Sequence, residues 1–412
     1  MCETRSVRDY WRLWVSSALS NLADGVLKIA LPLVAVDYTR SPAAIAGLSL
    51  AFTLPWLLFA LPAGAVTDRV DRRLAMVVAN VARAALLTVL VVAPGTLWVL
   101  YAVAFAVGVA ETVYDTSAQS IVPQLVDMDQ LSKANGRLYA AELTANQFIG
   151  PPLGGLLAAA GAVAAFITPT ALWVAAVGAL LLVQGKFRPE RLHRTSLLSD
   201  IAEGVRFLWR QRLLRTFAVV VGLYNFAGNA AGALLVLYAV GPMGLSDTGF
   251  GVLMSMYAIG SLIGTFFAPW IERTMGRAKA LLVTFGVGAL SIVAPALTSN
   301  PYLIGASFVI SGAGVVVSNI ILVSLRQRIT PNRLLGRVNS GYRLVAWGTM
   351  PLGSVVGGAL GQAFGLRPVF AIMGVLSFAL LLLLLGVTDS AMHAAEATTQ
   401  EPALPDSAPP VS

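Results

Sequence analysis

Twelve apolar runs, each long enough to cross a lipid bilayer, leave this chain few ways to fold. They fall at roughly 12–37, 43–67, 74–92, 97–121, 134–159 and 161–184, then 214–239, 246–271, 280–298, 301–324, 340–363 and 367–387. One helical crossing takes about 20 apolar residues. Inside the bilayer every backbone N–H and C=O must find a partner within the protein, so such runs are expected to be helices. The 412 residues are 57% hydrophobic and 12% charged, against about 25% charged in a soluble domain. That composition excludes a soluble enzyme, a disordered chain and a fibrous protein. A single cysteine, Cys2, excludes an internal disulfide.

The two sets of runs are copies of each other. At one offset of 204 residues Asn21 meets Asn225, Gly47 meets Gly251, Arg69 meets Arg273, Arg73 meets Arg277, Gly108 meets Gly312 and Asn135 meets Asn339. Six crossings per copy return the chain to its starting side, so the copies form a parallel repeat about an axis along the membrane normal. The expected organisation is an N-terminal six-helix half at 1–184, a linker at 185–213, a C-terminal six-helix half at 214–387 and a disordered tail at 388–412. In the linker Ile201, Val205 and Leu208 share one helical face, which predicts an amphipathic helix lying at headgroup level. The Pro-rich tail has too little apolar surface to order itself.

Net charge is +8, and its placement orients the chain. Lys and Arg crowd one side, 24 against 2 on the other, with Lys28 and Arg83 inside runs. Basic residues gather on the cytoplasmic side, so both termini and the linker are expected in the cytoplasm of a multi-pass cell-membrane protein. The basic balance therefore speaks for membrane topology rather than nucleic acid.

Charged side chains inside a bilayer are costly and tend to be functional. Asp24, Lys28, Arg83, Glu111, Asp115 and Glu142 all fall in runs of the first half. The matching positions of the second half are nearly uncharged. Asp24 and Lys28 stand one helical turn apart, the spacing of a same-face pair. Glu111 and Asp115 repeat that spacing as two carboxylates, which in low dielectric cannot both ionise readily. Asp24, Lys28, Glu111, Asp115 and Glu142 are therefore the proton-coupling candidates, with neutralising ion pairs as the structural alternative. Amides and aromatics at mid-run, namely Asn21, Asn146, Gln147, Tyr224, Asn225, Asn229, Tyr257 and Trp347, are candidates to line a cavity for a bulky amphipathic solute.

Two loop and helix motifs carry a family likeness. Gly64-Ala-Val-Thr-Asp68-Arg69-Val-Asp-Arg72-Arg73 resembles the loop signature of the major facilitator superfamily, with Asp71 where that signature has a glycine; Glu272-Arg273-Thr-Met-Gly-Arg277 is its decayed copy. Gly150-Pro151-Pro152-Leu153-Gly154-Gly155 resembles the core of the motif found in exporting antiporters. The stretches from Val122 to Asn135 and from Asp200 to Arg210 resemble the twelve-span drug:proton antiporters that include macrolide-efflux and enterobactin-exporting proteins. The resemblance implies an all-α membrane fold of twelve helices in two six-helix repeats. It implies a secondary transporter that exports drug-like molecules by proton antiport, with siderophore export or lipid or nutrient transport as alternatives. It implies a cytoplasmic gate at Gly64, Asp68, Arg69, Arg72, Arg73, Glu272, Arg273 and Arg277. On physical grounds Gly150, Gly154 and Gly155 let helices approach closely, and Pro151 and Pro152 bend or rigidify span 5.

Enzyme signatures are missing. There is no GxxxxGK[ST] phosphate loop, and His193, His393 and Cys2 do not stand at metal-ligand spacing. The expectation is a non-enzyme without cofactor or metal. Its partners would be a small-molecule substrate, protons and the lipid bilayer, and a monomer is expected because one chain holds a whole pathway.

Overall fold

The computed structural model describes residues 2–397, apart from 68, 93–95, 128–129, 186, 188–196 and 332–333. The first set of runs forms α1 (Cys2–Tyr38), α2 (Pro42–Thr67), α3 (Arg72–Val92), α4 (Leu97–Ile121), α5 (Leu131–Glu142), α6 (Gly150–Ala159) and α7 (Ala162–Leu181). The linker forms α8 (Leu197–Arg210). The second set forms α9 (Arg212–Val240), α10 (Asp247–Met275), α11 (Arg277–Leu297), α12 (Pro301–Ile329), α13 (Leu335–Trp347), α14 (Met350–Phe364), α15 (Leu366–Ala379) and α16 (Leu381–Leu385), and α17 (Asp389–Ala397) follows.

Eleven helices among the described residues are long and apolar enough to cross a membrane. The remaining run, the fifth, at 134–159, is broken in the middle. Between α5 and α6 the backbone of Leu143–Ile149 widens into a π-helix, in which Gly150 N donates to Ala145 O. The cause lies in Pro151 and Pro152, which have no N–H to give to Gln147 O and Phe148 O. Span 11 breaks at the matching depth, where α13 ends at Trp347 and α14 begins just ahead of Pro351.

Packing follows the repeat. The pairs α2–α4, α3–α4, α3–α7 and α1–α6 recur as α10–α12, α11–α12, α11–α15 and α9–α14. Two seams join the halves, α2 against α14 and α6 against α10. They are closest toward the end remote from the termini, where Ser41 Oγ donates to Gln362 Oε1 at 2.9 Å and Ser354 Oγ to Ser49 Oγ at 3.2 Å. On the α6 seam a Cβ at Gly155 would run into Asp247 O, and one at Gly251 into Pro151 O. Only glycine permits that backbone approach. Ser255 Oγ of α10 also donates to Phe148 O at 3.1 Å, using the carbonyl that Pro152 leaves free.

Two segments outside the twelve runs make contacts beyond those expected. The linker helix packs on the protein itself. It docks on α13, with Gly204 against Arg337 O, Glu203 paired with Arg337 and Leu208 fully buried. The chain past 388 begins as α17 because it has something to bury and bond. Met392 is fully buried, Asp389 Oδ1 accepts from Ala278 N at 2.9 Å, and Glu396 pairs with Arg277 at 2.6 Å. The rest of the expected tail, from 398, lies outside the described residues.

Candidate functional site

A cavity of about 940 Å³ lies between the halves. Its first-half wall comes from α1, α2, α4 and the π segment, and its second-half wall from α9, α10, α13 and α14. Phe52, Trp56, Phe250, Met254 and Trp347 make the surface largely apolar and aromatic. Trp56 and Trp347 meet edge to face across the halves at 6.0 Å, and the Arg343 guanidinium covers Trp347 at 4.6 Å. Lys28, Glu111 and Arg343 are the charged residues on this lining.

Two ion pairs stand at and behind the first-half wall. Lys28 Nζ donates to Glu111 Oε1 at 3.1 Å, with the lysine side chain 42% exposed and the glutamate 11%. Deeper in the half, Arg83 Nη1 donates to both oxygens of Asp24 at 3.3 Å, with the two side chains 0% and 5% exposed. The same Nη1 lies 3.2 Å from Ser20 Oγ and 3.4 Å from Asn80 Oδ1. The guanidinium sits against the Tyr114 and Trp173 rings at 5.3 and 5.5 Å, which supply cation–π attraction in place of water. Arg83 Nε and Nη2 and Asn80 Nδ2 have no hydrogen-bond partner.

This arrangement corrects the pairing read from spacing. Asp24 and Lys28 share α1, but each bonds to a different helix, Asp24 to α3 and Lys28 to α4. An i,i+4 spacing permits a same-helix pair; a stronger or nearer partner across the interface displaces it. Asp115 lies one turn beyond Glu111 on α4, and Glu142 closes α5 with its side chain exposed.

Of the eight cavity candidates, Gln147 and Trp347 line the cavity. The others serve packing. Asn225 Nδ2 donates to Ala346 O at 2.8 Å, and Asn229 Nδ2 to Met350 O at 2.7 Å and Ser354 Oγ at 2.6 Å, which satisfies the broken span 11. Asn21 donates to Ser17 O at 2.9 Å and receives a 3.5 Å contact from Asn146. Tyr224 packs edge-on to Phe285 at 5.3 Å, and the Tyr257 main chain backs onto Gly312. Phe52, Trp56 and Arg343 were not among the candidates. Arg343 alone carried a signal, as a lone charge in the apolar second half.

The gate residues bond within their own halves. Arg72 Nη1 donates to Ser120 O at 2.6 Å and Arg73 Nη2 to Leu181 O at 3.2 Å. Arg277 bonds Glu272 at 2.9 Å and Glu396 at 2.6 Å. Arg273 lines an adjacent cleft, Arg69 is exposed, a Cβ on Gly64 would meet open space, and Asp68 lies outside the described residues. Asp71 proves structural: Oδ1 accepts from Leu74 N at 3.1 Å and Oδ2 from Phe187 N at 2.7 Å, tying the start of α3 to the exit of α7. Gly150 and Gly154 let α6 close on Gly25 and Val26 of α1.

The family model described as "Transmembrane secretion effector", of the major facilitator type, matches residues 6–412. The chain belongs to this family. It is thus a multi-pass membrane transporter of the major facilitator superfamily. Among its relatives, the multidrug efflux pump Tap of Mycolicibacterium fortuitum is 28% identical over 386 residues, 88% of this chain and 90% of that protein. An uncharacterised MFS-type transporter, y4rN, of Sinorhizobium fredii is 26% identical, covering 89% and 91%. The fold is shared with a bacterial ferroportin homologue in its inward-facing state (TM-score 0.72, 18% identity, 95% and 99% covered) and with the nucleoside transporter NupG (TM-score 0.73, 14% identity, 91% and 98% covered).

Proposed function

We propose that this transporter exports lipophilic or amphipathic small molecules in exchange for protons, by alternating access between two six-helix halves. The observation that carries the reading is the Lys28–Glu111 pair on the wall of an otherwise aromatic cavity of about 940 Å³ between the halves. The cavity surface suits an apolar solute with a few polar groups. Glu111 is where a proton can meet the substrate space, since it is the carboxylate on that lining. The conformation supports cytoplasmic access: the seams close toward the end remote from the termini, and Arg72, Arg73 and Arg277 hold partners outside the opposite half. With both termini cytoplasmic, this is the state that loads cargo for export. At 100 mV each entering proton supplies about 2.3 kcal/mol. The similarity to multidrug efflux pumps named Tap points the same way.

The test uses inverted membrane vesicles with an acid interior and a pH-sensitive dye, challenged with macrolides, lipophilic cations and siderophores. Substrate-triggered collapse of the gradient in wild type, lost in Glu111→Gln, is the expected result. Substrate movement that leaves the gradient intact would overturn proton coupling, and response to lipids or nutrients alone would replace the substrate class.

A further inference from the structure

Lys28 has two places to go. It bonds Glu111 across the α1–α4 interface at 3.1 Å, and Asp24 stands one helical turn behind it on α1. Asp24 and Asp115, and more distantly Glu142, are the other carboxylates whose charge reaches Lys28. The groups gathered here are Asp24 and Lys28 from α1, Arg83 from α3, and Glu111, Tyr114 and Asp115 from α4, with Glu142 at the end of α5 close enough to feel Lys28 and Glu111.

The Asp24–Arg83 contact is loosely made for a buried ion pair. A fork-to-fork arginine pair uses two nitrogens at about 2.7–2.9 Å. Here one nitrogen, Nη1, serves both carboxylate oxygens at 3.3 Å while also facing Ser20 and Asn80, and Nε and Nη2 bond nothing. An ionised carboxylate accepts about four hydrogen bonds, so Asp24 retains room for a second cation. Lys28 is the nearby cation able to supply one, through a long flexible side chain on the same helix face.

We infer that Lys28 is a positioning residue that exchanges partners, docking on Glu111 when that carboxylate is ionised and on Asp24 when Glu111 carries the proton. This rests on the antiport reading above. The step moves one proton onto Glu111, breaks the Lys28–Glu111 ion pair and forms a Lys28–Asp24 pair; no covalent bond changes. In the first state the cavity wall carries a plus and a minus. In the second it carries a neutral acid, with the ammonium withdrawn behind the wall beside Asp24, and the α1–α4 contact is released. Protonation thereby unties α1 from α4 while Asp24 keeps its tie to Arg83 of α3, a change that a rocking motion of the halves can use. Asp115 is the competing destination, and the test separates it.

The experiment is a mutant cycle read by thermal unfolding of the purified full-length protein, which needs no substrate and no transport. Glu111→Gln mimics the protonated state. With Asp24 present Lys28 keeps a partner, so the melting temperature falls modestly. Combining Glu111→Gln with Asp24→Asn strands the ammonium, and the drop is expected to exceed the sum of the single effects by several degrees. In a Lys28→Met background that excess should vanish. Additive effects, an excess that persists without Lys28, or an excess that instead follows Asp115→Asn each overturn the inference. Infrared difference spectra on acidification give a second readout on variants with a single change. The carboxylate band lost in Asp24→Asn should shift when Glu111 is protonated in wild type, and stay fixed in Lys28→Met; a shift that survives in Lys28→Met is contrary. Failure of the vesicle assay alone would remove proton coupling while leaving the partner exchange measurable.

Discussion

The two halves repeat the same helix packing yet manage their interiors differently. At Asp24, Lys28, Arg83 and Glu111 the first half carries charge; at the matching positions the second half has Gly228, Gly232, Val287 and Val315. Where the first half bonds cation to carboxylate, the second bonds amide to carbonyl, Asn225 to Ala346 and Asn229 to Met350. Buried polar atoms without partners also cluster in the first half, around Arg83, Asn80 and Arg72. Burying charge costs free energy that packing alone does not return. Its confinement to one copy therefore separates a charge-bearing half from a half that supplies a quiet, well-satisfied wall.

The sharpest way to break that division is at Glu111. Glu111→Gln should abolish substrate-driven proton movement in vesicles, while Asn225→Ala and Asn229→Ala should keep it. Coupling that survives the first change and dies with the others would place proton exchange in the second half. Next in size is the buried pair. Arg83→Met leaves Asp24 buried without its cation and should cost about 3–5 kcal/mol of stability, whereas Arg83→Met combined with Asp24→Asn should recover part of it in the same unfolding measurement. In the second half, Asn229→Ala removes two hydrogen bonds to the broken span and should cost about 1–3 kcal/mol, a smaller loss than Arg83→Met if charge rather than bonding marks the difference. Smallest are the helix starts on the side of the termini. Asp71→Ala and Asp389→Ala each remove a carboxylate from a helix N-terminus, and each should lower stability by about 0.5–2 kcal/mol, with the melting temperature as the check.

Much of the architecture was legible because the bilayer simplifies the problem. Run length counted the helices, and the 204-residue offset announced the repeat. Span 5 was legible as a run but not as a helix, since only the local consequence of Pro151 and Pro152 turns it into a π segment. Individual partners were not legible. The spacing of Asp24 and Lys28 is the same whether they bond each other or turn to α3 and α4, and only packing decides. The cavity wall was hidden for a related reason. α2 has large apolar residues on every side, and only Ser49 and Thr53 hint at the face on which Phe52 and Trp56 line the cavity. Asn225 and Asn229 looked like pore amides, but the Ala346 and Met350 carbonyls at the break in span 11 claimed them. Asp71 looked like a departure from a motif and turned out to tie two helices together.

That last contact has a counterpart with a practical side. In the repeat, Leu74 N and Ala278 N occupy the same place, and each is bonded by a carboxylate, the first by Asp71 three residues away and the second by Asp389 from the far end of the chain. The second copy has outsourced its cap. For anyone building reporters or purification handles onto this protein, the C-terminal region is therefore not inert packaging. A fusion placed after Ala397 hangs from a helix already seated, whereas a cut ahead of Asp389 takes away the cap of α11, the buried Met392 and the Glu396 partner of Arg277 in a single stroke.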